Sequence, residues 1–251
     1  MKVGKVGSIR AELAYNIVFG CDHYSWDMDC YLFLKILRNE VSELTYFAMT
    51  DMIEKLYNSF VKLDETEGGR VKGTVLKKNA NKQLELFFQG KLDDDILKLK
   101  VEMHKDEPNN VINYEKLFQP DADGFDSRFL TTVKRQFITD VEEYNIDCAE
   151  WLREKEEREG TLSVKRVYEI FDYKQVSKNS LEKTIRIGLD IGLEDEIKWD
   201  EPVNIDTFMK NIQAKMLLTR TTFRDTIDPS VFDIEIEKEL ETIDVSNQEL
   251  V

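Results

Sequence analysis

The sequence predicts an α+β fold with an antiparallel β-meander at about residues 71–104, covered by helices, and a more helical second half. Three observations support this prediction. Apolar and polar residues alternate in three successive segments of the meander region, which is the period of a strand with one covered face. Apolar residues at helical spacing dominate on both sides of that region. A loop rich in Asp, Asn and Pro at 106–124 follows the meander.

Helical patterns precede the meander. Ser8 is a candidate N-cap for a short helix that ends near Gly20. The apolar residues of that helix are Ile9, Leu13 and Ile17. A longer helical pattern covers residues 37–63, with a break expected near Thr50-Asp51, where the apolar stripe changes phase. Gly68-Gly69 ends this region because glycine favours helix termination.

The meander itself consists of three predicted strands, at 71–75, 84–88 and 97–103. A polar turn separates the first two, and Gly90 with an acidic run separates the last two. Three strands cannot bury an apolar face by themselves. We therefore expect the flanking helices to cover one side of the sheet.

The loop at 106–124 is the predicted boundary between two parts, residues 1–107 and residues 125–245, although one continuous domain is an open alternative. Asp126 or Ser127 can cap the helix that follows. Beyond it, the pattern predicts helices at 147–159, 164–171 and from Asp206, a strand at 185–193, and a helix or strand at 228–244.

Composition excludes several classes of protein. The chain has 50 acidic and 35 basic residues and a net charge of −15, which disfavours nonspecific binding to nucleic acid or anionic lipid. No apolar run is long enough for a membrane span or a signal peptide. Three cysteines form no disulfide framework and fit a reducing compartment. We therefore predict a soluble, cytoplasmic protein.

Two clusters were considered as metal sites. Asp121-Ala122-Asp123-Gly124 looks like the start of a calcium loop, but placing Gly124 sixth puts Leu130 at the twelfth position, where a carboxylate is needed. An ordinary Asp-capped turn is favoured. The second cluster, Cys21, His23 and Cys30 with Cys148 far away, lacks the close cysteine pair of structural zinc sites. We predict no metal and no cofactor.

One catalytic arrangement stays open as an alternative. Asp190, Glu196 and Lys198 follow one another closely, and two carboxylates with a lysine can cleave a phosphodiester through a divalent ion. The alternative function is therefore a metal-dependent phosphodiesterase or nuclease. No nucleophile elbow, Walker motif or dinucleotide-binding glycine pattern is present, and no catalytic residue is assigned.

The distribution of acidic residues gives the leading functional hypothesis. Residues 228–244 contain seven carboxylates and only one basic residue, Lys238. The carboxylates are Asp228, Asp233, Glu235, Glu237, Glu239, Glu241 and Asp244. In a helix they would supply one negative charge per roughly 3.6 Å, close to the spacing of about 3.4 Å in one DNA strand. A second row of carboxylates, tempered by three basic residues, lies at 140–159.

We therefore predict a non-catalytic interaction protein that binds a basic protein surface, such as that of a nucleic-acid-binding protein, as an inhibitor or DNA mimic. Acidic faces that only keep the protein soluble are the competing interpretation. A third class is a structural or assembly protein whose exposed aromatic residues, for example Trp26 and Trp199, form an interface between copies of the chain.

Overall fold

A computed structural model describes residues 3–69, 71–105, 109–176 and 181–220, with residues 3–9 described as backbone only. The described part is mostly helical. Its helices are α1 (Val3–His23), α2 (Met28–Leu37), α3 (Leu44–Gly68), α4 (Lys77–Phe87), α5 (Asp93–His104), α6 (Tyr114–Phe118), α7 (Arg128–Arg153), α8 (Val164–Lys174), α9 (Leu181–Leu189) and α10 (Ile205–Lys215). Its strands are β1 (Thr74–Leu76), β2 (Val111–Asn113), β3 (Thr161–Ser163) and β4 (Pro202–Asn204).

The same arrangement of elements occurs twice. In the first half, two helix–loop–strand–helix units, α3–β1–α4 and α5–β2–α6, join through an antiparallel sheet in which Val75 lies opposite Ile112. In the second half, α7–β3–α8 and α9–β4–α10 join in the same way, with Leu162 opposite Val203. The fold is thus broadly α+β, with two small sheets and an internal repetition that the residue pattern did not predict.

Each half has its own hydrophobic core, and α7 contributes to both. Phe129, Val133 and Phe137, from the first half of α7, belong to the first core. Cys148 and Leu152, from its last turns, belong to the second. The first core is completed mainly by α3, α4 and α5 with the first sheet, and the second by α8, α9 and α10. Residues 216–220 follow α10 outside helix and strand, and Leu217 enters the first core while Leu218 enters the second.

The predicted meander is corrected by the structure. Only Thr74–Leu76 forms a strand within residues 71–104, whereas α4 and α5 occupy the second and third predicted strands. The alternating apolar residues of 97–103 lie on two different faces of α5. Leu99 and Met103 are buried, while Leu97 and Val101 are 58% and 55% exposed. In an alternating run the apolar residues are two positions apart, so every second apolar residue is four positions from the last. This i, i+4 spacing also fits one face of a helix.

The predicted strand at 185–193 is also wrong, because α9 covers residues 181–189. Its buried residues include Thr184, Ile185, Ile187 and Gly188, which is helical spacing. Two other boundaries differ. Helix α3 continues through Thr50-Asp51 without a break, and α7 continues to Arg153 as one helix where two were expected.

Several predicted signals are confirmed. Ser127 caps α7, and its side-chain oxygen accepts a hydrogen bond from the Leu130 amide at 3.1 Å. Gly69 ends α3 in the left-handed conformation, with φ of 67°. Helix α8 covers the helix that was predicted at 164–171. The division into residues 1–107 and 125–245 stays a prediction.

None of the described helices combines the length and the apolar content that a bilayer crossing requires.

Candidate functional site

The acidic residues of the leading hypothesis, at 228–244, lie outside the described residues. The last described residue is Arg220, whose guanidinium lies 3.0 Å from Asp147 and 3.5 Å from Glu143, both on α7. Together with the buried Leu217 and Leu218, these ion pairs hold residues 217–220 against the folded body.

In the second acidic row, at 140–159, the carboxylates of the first half pair with cations of the protein itself. Asp140 pairs with Lys91 at 2.9 Å, and Glu142 pairs with Lys35 at 3.0 Å. Burial lowers the pKa of Lys91, although the carboxylate of Asp140 acts in the opposite direction. The first half of this row therefore stabilises contacts of α7 and does not form a free acidic surface.

The carboxylates that follow α7 bind backbone groups of their own loop. The Glu157 carboxylate accepts hydrogen bonds from the Ser163 amide at 3.2 Å and from its hydroxyl at 3.1 Å. The Glu156 carboxylate accepts one from the Gly160 amide at 3.2 Å. These two acids hold the loop between α7 and β3 in shape.

The alternative catalytic residues do not form a shared cluster. Asp190 ends α9 with a φ of 57° and pairs with Lys215 of α10 at 2.5 Å. Lys198 pairs with Glu201 at 3.0 Å, and Glu196 is exposed. Each charged group thus has a different structural environment, and the described geometry gives the nuclease alternative no support.

The helix–loop–helix arrangement of both halves is the one that carries calcium in EF-hands, so its loops were compared with that ligand pattern. Gly73 and Gly160 have positive φ, as the sixth loop residue requires. Counting from Gly160, Lys155 is first and Arg166 twelfth; counting from Gly73, Asn79 is twelfth. Neither loop has the terminal carboxylate. Among the described residues, no group of three or more His, Cys, Asp or Glu side chains could hold a metal ion.

The buried carboxylate of Asp64, near the end of α3, binds backbone amides of the loop that follows this helix. It accepts hydrogen bonds from the amides of Lys72 at 2.6 Å and Gly73 at 2.8 Å, and from the Tyr114 hydroxyl at 3.2 Å. Burial by itself raises the pKa of Asp64, but these hydrogen bonds to the charged form outweigh it and hold the pKa below its usual value. The Asp64 carboxylate therefore stabilises the conformation of the loop between α3 and β1.

The turn at Asp121 is held by hydrogen bonds to its own carboxylate. The Asp121 carboxylate accepts hydrogen bonds from the amides of Asp123 and Phe125, both at 2.9 Å, as the predicted Asp-capped turn requires. All three cysteines are free thiols, and Cys148 is buried. Burial, followed by the neighbouring Cys21 and Asp27, raises the pKa of Cys30 to about 11.

A scan against protein-family models found no match, and searches of curated proteins and of solved structures found no significant similarity either. The function is therefore argued from the chain's own charges and surfaces.

A groove of about 730 Å³ lies between α5 and α7. Leu97 and Val101 give it an apolar wall, and five carboxylates and two cations line it. The carboxylates are Asp94, Asp95, Glu102, Asp140 and Glu143. Gln136 Oε1 is buried there without a hydrogen-bond partner among the described residues. The groove can accept hydrogen bonds, but most of its carboxylates already pair with Lys91, Lys98, Lys105 or Arg220.

Helix α1 carries several exposed large apolar side chains. The sequence predicted Leu13 and Ile17 on a helical apolar face, but the structure leaves both exposed. Trp26, in the turn after α1, is 54% exposed and packs on Phe125 with ring centroids 5.0 Å apart. Trp199 is less accessible, at 38%, and packs edge-on against Tyr168. Sequence periodicity identified the helix but could not show that residues 10–19 are exposed in the described part of the chain.

Proposed function

We infer that this chain is a non-catalytic interaction protein whose acidic segment, residues 228–244, binds a basic surface on a partner protein. The observation that carries this proposal is the concentration of charge. Seven carboxylates against Lys238 give the segment a net charge of −6 in 17 residues, out of −15 for the whole chain of 251. Charge at this density steers a basic partner and speeds its association.

The folded body supports this proposal because it neutralises several of its own acids, whereas residues 228–244 contain one basic residue for seven acids. Lys35, Lys91 and Arg220 pair with carboxylates of α7.

The partner class in this proposal is a basic protein, with a nucleic-acid-binding protein as the main example. Carboxylates spaced like phosphates could occupy its binding groove, so that the chain acts as a DNA mimic or inhibitor. The proposal places the protein in the cytoplasm, where its three free thiols would be stable.

Charge reversal of the acidic segment tests this function. We expect the variant with Glu235, Glu237, Glu239 and Glu241 all changed to Lys to lose its basic partner in affinity capture from a host extract. The wild-type chain should retain that partner at low salt and release it at high salt, because ionic strength screens exposed charges. The measurement is quantitative mass spectrometry of the captured proteins.

A matched control reverses four exposed glutamates of the body, Glu150, Glu154, Glu194 and Glu196. This control has the same change in net charge as the segment variant. If the location of the carboxylates at 228–244 matters, the control should still capture the partner. Equal capture by the segment variant and the wild type would refute the proposed function. Equal loss in both variants would refute the assignment of the binding surface to residues 228–244.

A further inference from the structure

Two half-buried thiols meet at the turn between α1 and α2. Cys21 lies in the last turn of α1, and Cys30 lies in the first turn of α2. The turn between the helices is short and is closed by two backbone hydrogen bonds. The Tyr24 amide donates to the Gly20 carbonyl at 3.0 Å, and the Asp27 amide donates to the Tyr24 carbonyl at 2.9 Å. This arrangement leaves the thiols of Cys21 and Cys30 hydrogen-bonded to each other.

Cys30 is held in place on α2 by its neighbours. The Asp27 carboxylate caps this helix and accepts hydrogen bonds from the amides of Asp29 and Cys30, both at 3.0 Å. The carboxylate of Asp29 pairs in turn with the buried Lys134 of α7, at 2.8 Å. A bond to Cys30 therefore attaches α1 to a helix that is itself fixed to α7.

The third cysteine does not belong to this pair. Cys148 is buried in the second core, whereas the buried Met28 and Leu32 of α2 belong to the first. Within the described ranges, Cys21 and Cys30 are also not part of any group of three or more His, Cys, Asp or Glu side chains that could hold a metal ion. Two thiols in contact without further ligands fit a reversible disulfide better than a zinc site.

We propose that Cys21 and Cys30 are a redox modification site, at which a low-molecular-weight disulfide such as glutathione disulfide converts the two thiols into an intramolecular disulfide. The new bond joins the last turn of α1 to the first turn of α2. Because the two thiols are already in contact, we expect side-chain movement to bring the sulfur atoms to the bond length of about 2.0 Å. In a reducing compartment such a disulfide is transient and forms in response to oxidants.

The reaction consists of two thiol–disulfide exchange steps. The Cys21 thiolate attacks one sulfur of the small disulfide, forms a mixed disulfide with it and releases one small thiolate. The Cys30 sulfur then attacks the Cys21 sulfur and releases the second small thiolate. Each released thiolate takes up the proton that the attacking cysteine loses, so two protein thiols are oxidised and one small disulfide is reduced to two thiols.

The order of the two steps follows from the surroundings of Cys30. Burial, followed by the neighbouring Cys21 and Asp27, raises the pKa of Cys30 to about 11. Cys30 therefore stays protonated at neutral pH, and the thiolate is the nucleophile in such exchange. We accordingly assign the first attack to Cys21 and the second, within the mixed disulfide, to Cys30.

Peptide mapping of the full chain, after equilibration with reduced and oxidised glutathione, tests this site. The remaining thiols are alkylated in denaturant, and trypsin then releases residues 11–35 as one peptide that contains both cysteines. We expect this peptide to lose two hydrogens and to take up no alkyl group. After reduction with dithiothreitol it should take up two. Cys148, on the separate peptide 136–153, should remain fully alkylated and serves as the internal control.

Two alkyl groups on peptide 11–35 at every ratio of the two glutathione forms would overturn the proposal. Glutathione retained on this peptide as the final product, or a link from it to another peptide, would do so as well. The variant Cys30→Ser should instead retain one glutathione on Cys21, because the second exchange step is then blocked. An unmodified Cys21 in that variant would contradict the assigned order of attack. Cys148→Ser is the matched control and should behave like the wild type.

Comparison with the unfolded chain tests whether the fold positions the pair. Two cysteines this close in sequence can also join in a flexible chain. The equilibrium constant for disulfide formation should be larger in the folded protein than in urea by at least about tenfold, because contact raises the effective concentration of each thiol. Equal constants would refute the role of the fold. This modification does not depend on residues 228–244, so the partner-capture result leaves it unaffected.

Discussion

Replacing Asp64 by Ala is expected to lower the free energy of unfolding by about 4 kcal/mol. The carboxylate is 1% exposed and receives hydrogen bonds from two loop amides and from the Tyr114 hydroxyl. Removing it leaves the buried Gly73 amide and Tyr114 hydroxyl unpaired, at a cost of about 1–3 kcal/mol for each, and also loses the part-buried bond from the Lys72 amide. The melting temperature should fall by about 10 °C, since 1 kcal/mol corresponds to about 2–4 °C in a domain of this size.

Two variants separate the hydrogen bonds from the charge. Asp64→Asn keeps one acceptor oxygen and should lose about half as much stability as Asp64→Ala. Glu65→Ala changes the exposed neighbouring carboxylate and should stay within about 0.5 kcal/mol of the wild type. Equal melting temperatures for Asp64→Ala and Glu65→Ala would show that Asp64 does not hold the loop.

The stabilisation by the Asp64 charge should depend on pH. Because the pKa of Asp64 is lower in the folded protein than in the unfolded chain, its contribution is complete above the unfolded value of about 3.9. It is lost as the pH falls through the lower, folded value. The stability difference between the wild type and Asp64→Asn should therefore be constant from about pH 5 to 7 and shrink below about pH 4. Urea unfolding at each pH measures it.

Replacing Gly188 by Ala is expected to destabilise the second half by about 3 kcal/mol. A Cβ at this position would lie 2.1 Å from Cε2 of Phe208 and 2.4 Å from its Cδ2. Phe208 is 1% exposed and also packs on Phe171, so its ring has no free space into which to move. Forcing additional volume into a close-packed core typically costs about 1–3 kcal/mol.

A double-mutant cycle with Phe208→Leu tests this cause. Leu removes the atoms that collide with the new methyl group, so the double variant should be at least about 1 kcal/mol more stable than the sum of the two single changes predicts. Gly20→Ala is the matched control, because nothing lies within 4 Å of its added Cβ. In α1 it should stabilise the helix by up to about 1 kcal/mol. Additive effects at Gly188 and Phe208 would contradict the predicted collision.

The sequence identified local features that a few adjacent residues determine. Ser127 begins α7 and Gly69 ends α3, as expected. An N-cap depends on the chemistry of one side chain, and a C-terminal glycine depends on its freedom to adopt positive φ. The long α3 and α7 were found from their repeating apolar residues. Segments with short alternating runs, such as those in α5 and α9, were assigned wrongly because their letters fit both a strand and a helix.

The candidate surfaces were recognised only in part. The acidic segment at 228–244 is evident from the sequence alone, because its seven acids and one lysine can be counted without knowledge of the fold. The exposure of Tyr15 and Phe19 was not predictable, because an apolar helical face is usually covered. Nor did the sequence show that Lys91 and Lys35 neutralise the acids of α7, since each partner is distant along the chain.

The sequence by itself thus determined the net charge, the position of its densest acidic segment, the helical character of the long apolar patterns, and the caps at Ser127 and Gly69. Only the tertiary structure decided which helices pair through the two small sheets, which acids are neutralised, and which apolar face is left open. The physical reason is range: charge and helix capping are properties of neighbouring residues, whereas burial and ion pairing depend on segments that meet only when the chain folds.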